Sequence, residues 1–242
     1  MSPPASQFLR DLTGEFIDNG GLKLLCLLGS GAFGKVYQAL DTTAPPDELV
    51  YYAVKCMPRY EPGSREENLQ QDEITTHLML SDHPRVITLY RYFTTDEFVF
   101  MVLDLSTGGD MFRALVPREL YRANPALIKT AFGELLDAVE FCHRNGVFHR
   151  DLKPENILCN SEGSDLRLAD FGLAAQRVVS SQFGCGTRGY MSPESIYPTY
   201  VDDCYSAHHS DLWALSVIFT TMISGHHPWH SADMFDAGFV AF

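Results

Sequence analysis

The chain has 242 residues, 45% of them hydrophobic, and a formal net charge of −13. This composition supports a packed globular core rather than disorder. The acidic charge argues against a nucleic-acid partner, because counterion release needs a basic face. The longest apolar runs, 22–28 and 212–223, fall short of the roughly 20 residues that a membrane span requires.

The opening stretch, MSPPASQFLRD, lacks the basic start and apolar h-region of a signal peptide, and no glycine follows Met1 for myristoylation. A cytoplasmic or nuclear location is therefore expected. Residues 1–20 are polar with Pro and Gly and read as a loose lead-in. From Leu22 strands are predicted: LKLLCLLGSG and KVYQAL flank a glycine turn, and LVYYAVKCM is rich in β-branched and aromatic residues. Between them DTTAPPDE reads as a connecting loop. REENLQQDEITTHLML reads as a helix, with Leu69, Glu73 and His77 along one side. RVITLYRYF and FVFMVLDL are two further strands, ending at the flexible STGGD.

Beyond Gly109 the pattern turns helical. Pro125 to Asn145 places Phe132, Leu135, Leu136, Val139 and Cys142 at helical spacing, and NILC with LRLADF reads as a small hairpin. SDLWALSVIFTTMISG is apolar on every side, which predicts a helix enclosed by protein. Cys26, Cys56, Cys142, Cys159, Cys185 and Cys204 are scattered without C-x-x-C pairs, mostly in apolar surroundings, and read as reduced core thiols. His208, His209, His226, His227 and His230 lack the spacing of a metal site.

The chemistry-bearing segments occur in a fixed order. Gly29, Gly31 and Gly34 of GSGAFGKV lie between two strand-like runs, where backbone amides can approach phosphate oxygens without an intervening Cβ. Lys55 in YAVKCM sits on a strand face that is apolar, which makes sense if its ammonium meets phosphates and a carboxylate; Glu73 is the candidate partner and Asp72 the alternative. HRDLKPEN (149–156) is followed by DFG at 170–172 and SPE at 192–194.

This series resembles the eukaryotic protein kinase family of serine/threonine type, from about Leu22 to the C-terminus. FGCGTRGYMSPE and LMLSDHPRV are most similar to a fungal subgroup of meiosis-regulator-like kinases. The resemblance implies a two-lobed α+β fold: a lead-in over 1–20, an ATP-binding lobe over 21–104 with a five-stranded antiparallel sheet and one helix, and a mainly helical catalytic and substrate-binding lobe over 105–242, incomplete at its end. The implied activity is transfer of the γ-phosphate of ATP to Ser or Thr hydroxyls, with ATP and Mg²⁺ as cofactors. The alternative is a catalytically impaired kinase-fold scaffold.

By the same resemblance Asp151 orients the substrate hydroxyl, Lys153 steadies the γ-phosphate, and Lys55 grips the phosphates while paired to Glu73. Asn156 and Asp170 are implied Mg²⁺ ligands. Gly29, Ser30, Gly31, Ala32, Phe33 and Gly34 would cover the nucleotide; Val36, Ala53 and Leu158 would sandwich the adenine. Leu103 would border the adenine, the backbone of Asp104 and Leu105 would bond it, and Asp110 would reach the ribose. His77, Leu89, His149 and Phe171 would stack into a spine anchored by Asp211. Protein substrates with Ser or Thr, with basic flanks suited to the acidic charge, are the implied partners; neither nucleic acid nor a membrane is expected, and the chain is expected to be monomeric.

Two departures stand out. The position four residues before Thr187, which carries an activating phosphothreonine in many kinases, is Phe183, so Arg150 lacks its usual partner; Ser180 and Ser181 are the substitutes nearby. Glu194 ordinarily pairs with an arginine in helices beyond the end of this chain, which predicts a costly buried carboxylate unless HSADMFDAGFVAF substitutes in part.

Overall fold

The computed structural model describes residues 9–31, 34–45, 47–198 and 203–241. The chain forms two compact units, one of the residues up to Asp82 with Ile87–Leu105, the other of His83–Val86 with the residues from Ser106 onward.

The first unit is built on an antiparallel sheet of six strands: β1 (Phe16–Ile17), β2 (Leu22–Ser30), β3 (Lys35–Asp41), β4 (Tyr51–Pro58), β5 (Leu89–Thr94) and β6 (Phe98–Leu103). Their spatial order is β1-β2-β3-β4-β6-β5. The five long strands are those expected; β1 is an addition from within the lead-in. Alternation along the strands sends side chains to opposite faces. One face buries Tyr37, Ala39, Val54, Cys56, Phe100 and Val102 with Leu12, Leu22 and Leu24. The lead-in is thus part of a core, which corrects its reading as loose for the described residues from Leu9 onward.

The other face buries Met57, Leu89, Val99 and Met101 against Ile74 of helix α1 (Arg65–Leu80). Ser64 caps this helix, accepting from the Glu67 N–H, one of the amides that lack an intrahelical partner. The buried side of α1 carries Gln70, Glu73, Ile74, Thr76, His77 and Leu80. Leu69, expected on the same side as Glu73 and His77, is exposed.

The second unit contains α2 (Met111–Leu115), α3 (Pro125–Arg144), the hairpin β7 (Ile157–Leu158) with β8 (Arg167–Leu168), the pair β9 (Val179–Ser180) with β10 (Tyr205–Ser206), and helices α4 (Pro193–Ile196), α5 (Ala207–Ser224) and α6 (Ala237–Ala241). Residues 83–86 belong here because Arg85 pairs with Glu134 and Asp165, and its carbonyl accepts from the Leu168 N–H. On α3 the buried stripe is Ala131, Leu135, Ala138, Val139 and Cys142. Leu136 is exposed, contrary to the spacing argument.

Helix α5 is not enclosed. Asp211, Ala214, Leu215, Val217 and Ile218 are buried, while Leu212, Phe219 and Ile223 are exposed. The tail does supply part of the cover expected of it: its Ala232 and Phe239 pack with Trp213 and Trp229 around Met191, Ile196 and Val217. Three cysteines, Cys56, Cys142 and Cys159, are core thiols; Cys26 and Cys204 are exposed and Cys185 half-buried. No described helix is long and apolar enough to cross a membrane.

Candidate active site

In the first unit, strand register assembles the expected residues. Gly29 lies opposite Val36, Val36 opposite Lys55, and Ala53 opposite Leu103. Directly paired residues and residues two apart share a face, so Val36, Ala53, Lys55 and Leu103 all project to the α1 side of the sheet. There the Lys55 ammonium donates to Glu73 Oε1 at 2.5 Å, with both side chains buried. Asp72, the alternative, is exposed. A buried ammonium and carboxylate tolerate loss of water only when paired in this way.

The glycine turn closes through the Gly31 N–H donating to the Gly34 carbonyl at 2.9 Å, and Ser30 lies opposite Lys35. A Cβ on Gly34 would fall 2.3 Å from the Cys56 carbonyl, so close approach to β4 demands glycine there. At Gly29 and Gly31 an added Cβ would meet nothing within 4 Å among the described residues. Packing therefore does not explain those two glycines. Ala32 and Phe33 lie outside the described residues. The Asp104 N–H donates to the Thr88 carbonyl at 2.9 Å; Leu105, the last residue of the unit, is half-buried. His77 and Leu89 are buried, and His77 Nε2 contacts the Ile87 carbonyl at 2.7 Å.

In the second unit the segment from His149 to Asn156 is organised from beneath by Asp211 of α5. Its carboxylate accepts from the backbone N–H groups of His149 and Arg150 and from His143 Nε2, each at 2.8 Å. Arg150 is held at φ +66°, a left-handed conformation unusual for a residue with a side chain. The His149 ring lies tilted against Phe171, with ring centroids 5.2 Å apart, and its Nε2 contacts the Ala169 carbonyl. Asp211 thus anchors the backbone at His149, one member of the expected spine.

Four donors converge on the Asp151 carboxylate. The Thr187 N–H and hydroxyl both reach Oδ1 at 2.8 Å; Lys153 Nζ reaches Oδ2 at 2.7 Å and the Asn156 amide reaches it at 3.2 Å. Lys153 also donates to the Thr187 hydroxyl at 2.8 Å. Gly186, at φ +119°, lets the chain carrying Thr187 come this close: a Cβ there would stand 2.7 Å from the Arg150 carbonyl.

The Asn156 carbonyl accepts from the N–H of Ala169, the residue before Asp170, at 2.9 Å. The Asn156 amide nitrogen is occupied by Asp151, at 2.9 Å from its carbonyl, which leaves the side-chain oxygen of this buried residue as its ligand atom. Oxygen atoms from Asn156 and Asp170 are hard ligands and suit Mg²⁺. Leu158 forms a bridge with Asp110. Asp110 caps α2, accepting from the Arg113 N–H at 2.8 Å through Oδ1, while Oδ2 lies 3.8 Å from Arg113 Nε.

Three features escape sequence reasoning. Thr187 ties the loop before SPE to Asp151; a threonine amid GCGTRGY carries no signal of that role. His143 joins Asp211. Gln182 takes the place beside Arg150: its side-chain oxygen accepts from Nη1 at 3.0 Å, while Arg150 Nε is buried without a hydrogen-bond partner among the described residues. The expectation for Glu194 needs correction, since it is half-buried rather than buried; no hydrogen bond or ion pair is found for it among the described residues.

A twisted antiparallel sheet carrying a buried Lys–Glu pair, together with a helical unit presenting an Asp151–Lys153–Asn156 loop, defines the protein kinase fold. The chain belongs to the protein kinase domain family, whose sequence pattern it matches over residues 22–238. It is 35% identical over 229 residues to the "Negative regulator of sexual conjugation and meiosis" of Schizosaccharomyces pombe, covering 87% of this chain and 48% of that protein. It is 34% identical to CBL-interacting protein kinase 2 of Oryza sativa (87% and 46%) and 34% identical to calcium/calmodulin-dependent protein kinase type 1 of Caenorhabditis briggsae (89% and 57%). The chain spans about half the length of these relatives. The likeness to meiosis-regulator kinases drawn from the sequence is matched by the fission yeast relative.

Proposed function

We propose that this chain is a protein serine/threonine kinase that transfers the γ-phosphate of ATP to Ser or Thr hydroxyls of protein substrates. The observation that carries the reading is the set of donors around Asp151. A carboxylate offers about four lone-pair sites, and here all four have donors. A substrate hydroxyl can bond Asp151 only when one of them leaves. Lys153 is the donor with an alternative: a phosphoryl oxygen would draw its ammonium from Oδ2, freeing that oxygen to orient the hydroxyl and take its proton. Thr187 would keep Oδ1 fixed meanwhile.

Mg²⁺ held by Asn156 and Asp170 would supply neutralisation of phosphate charge. Lys55, kept in place by Glu73, would hold the phosphates of the nucleotide, and the open space at Gly29 and Gly31 would let backbone amides reach them. Val36, Ala53, Leu103 and Leu158 would flank the adenine, the backbone of Asp104 and Leu105 would bond it, and Asp110 would meet the ribose. In this reading residues 21–104 are the ATP-binding lobe and 105–242 the catalytic and substrate-binding lobe.

The test is radiolabelled transfer from Mg²⁺-ATP to a library of Ser, Thr and Tyr peptides, beside an Asp170→Ala control. Label on Ser and Thr peptides that is lost in the control supports the reading. Equal labelling by both proteins, or none by a folded wild type, overturns it and favours the scaffold alternative.

A further inference from the structure

Residues 9–17 lie outside the part of the chain that matches the protein kinase family, yet they are built into the first unit. Leu9 and Leu12 are buried, Leu12 at 1% exposure. Phe16 and Ile17 pair with Lys23 and Leu22, and the Gly14 N–H and Glu15 carbonyl bond the Leu24 backbone at 2.8 and 2.9 Å. The Leu12 N–H donates to the hydroxyl of the fully buried Tyr37 at 3.2 Å. The segment covers the sheet face opposite α1, and a charged contact runs from it to the glycine turn. Lys35, directly after Gly34, sends its ammonium to the Leu9 carbonyl at 2.5 Å.

This contact is hard to explain as packing alone. Lys35 opens β3, where it lies opposite Ser30 and Cys56, and a surface lysine at a strand end is ordinarily left to water. Here the ammonium is half-buried and directed at a backbone carbonyl, with the Asp11 carboxylate also within electrostatic reach. Arg10 fastens the same segment further along: it pairs with Glu15, lies 3.8 Å from Glu97, and sits over the Phe98 ring at the start of β6.

We propose that residues 9–17 form a strap that positions the glycine turn through Lys35, which makes Lys35 a positioning residue for the nucleotide. The strap fixes the descending end of the turn, while Gly29 and Gly31 leave its outer side open. The nucleotide part of this inference rests on the proposed kinase function; the mechanical part does not.

The experiment compares the full chain with Lys35→Met, which removes the ammonium but keeps the stem, and with Lys35→Arg. Deleting the strap is avoided because it would take Leu12 out of the core. Amide hydrogen exchange over residues 29–36 should quicken about tenfold in Lys35→Met, as loss of one charge-assisted hydrogen bond implies. Exchange in α3 should stay unchanged, and Lys35→Arg should restore slow exchange. The KM for ATP should rise severalfold in Lys35→Met with kcat near wild type. Unchanged exchange over 29–36 in Lys35→Met overturns the strap. Quickened exchange with an unchanged KM overturns the positioning role. A wild type that binds no nucleotide counts against the kinase reading, and the exchange arm still decides the strap.

Discussion

Replacing Asp211 by Asn is the sharpest test of how the catalytic loop is held. Asp211 is 1% exposed, with Oδ1 accepting from the Arg150 N–H and Oδ2 from the His149 N–H and His143. Asparagine keeps the shape but offers one acceptor oxygen. Whichever way the amide is turned, its NH₂ faces one of the two buried backbone N–H groups, which then has no acceptor. An orphaned buried donor costs about 1–3 kcal/mol, and the remaining bonds lose the strengthening that a full charge gives. A total of about 2–4 kcal/mol follows, and at about 2–4 °C per kcal/mol for a chain of this size the melting temperature should fall by about 4–16 °C. Leu212→Asn, at the exposed neighbouring position, should change stability by no more than about 0.5 kcal/mol. Thermal melting by circular dichroism reads both. An Asp211→Asn protein melting with the wild type would refute the claim that this carboxylate holds the left-handed turn at Arg150.

Because Gln182 occupies the place beside Arg150, complete phosphatase treatment verified by mass spectrometry should leave the transfer rate unchanged, whereas Gln182→Ala should lower it severalfold. Loss of activity on dephosphorylation would show that the amide does not suffice. Burial holds the His227 imidazole below its ordinary value, so the unfolded chain takes up this proton first on acidification. The stability that results is present above about pH 6.5 and is lost as pH falls through the folded value. His227→Gln should therefore melt with a shallower fall between neutral and mildly acidic pH, and an identical pH profile would count against this. Burial also pushes the Cys56 and Cys142 thiols up to about 12, so native-state alkylation should label exposed Cys26 and Cys204 first, with Cys56 and Cys142 reacting only on unfolding; early label on Cys142 would contradict the buried α3 stripe.

Much of the site was readable before any geometry. Lys55 stood out as a charge on an apolar strand, and Glu73 shared a helical side with His77; the register of β3, β4 and β6 then places Val36, Ala53 and Leu103 on the same face. Local pattern failed where burial depends on distant partners. Leu9 and Leu12 are isolated leucines in a polar, proline-containing stretch and show no period, yet both are buried, Leu12 against Tyr37 and the sheet. Leu69 and Leu136 fit an apolar stripe by spacing, but the sheet and α5 do not extend over them. The all-round apolar pattern of α5 predicted enclosure, while Leu212, Phe219 and Ile223 are exposed. Gln182 and Thr187 act through residues more than 30 positions away, a relation that spacing cannot reveal.

The central claim is tested most directly by measuring phosphoryl transfer from ATP to a Ser peptide by wild type and Asp151→Asn, both shown to be folded. The account predicts transfer by the wild type and a loss of at least about 100-fold in the variant, the scale of a lost proton-accepting group. Equal rates, or no transfer by the folded wild type, would contradict it.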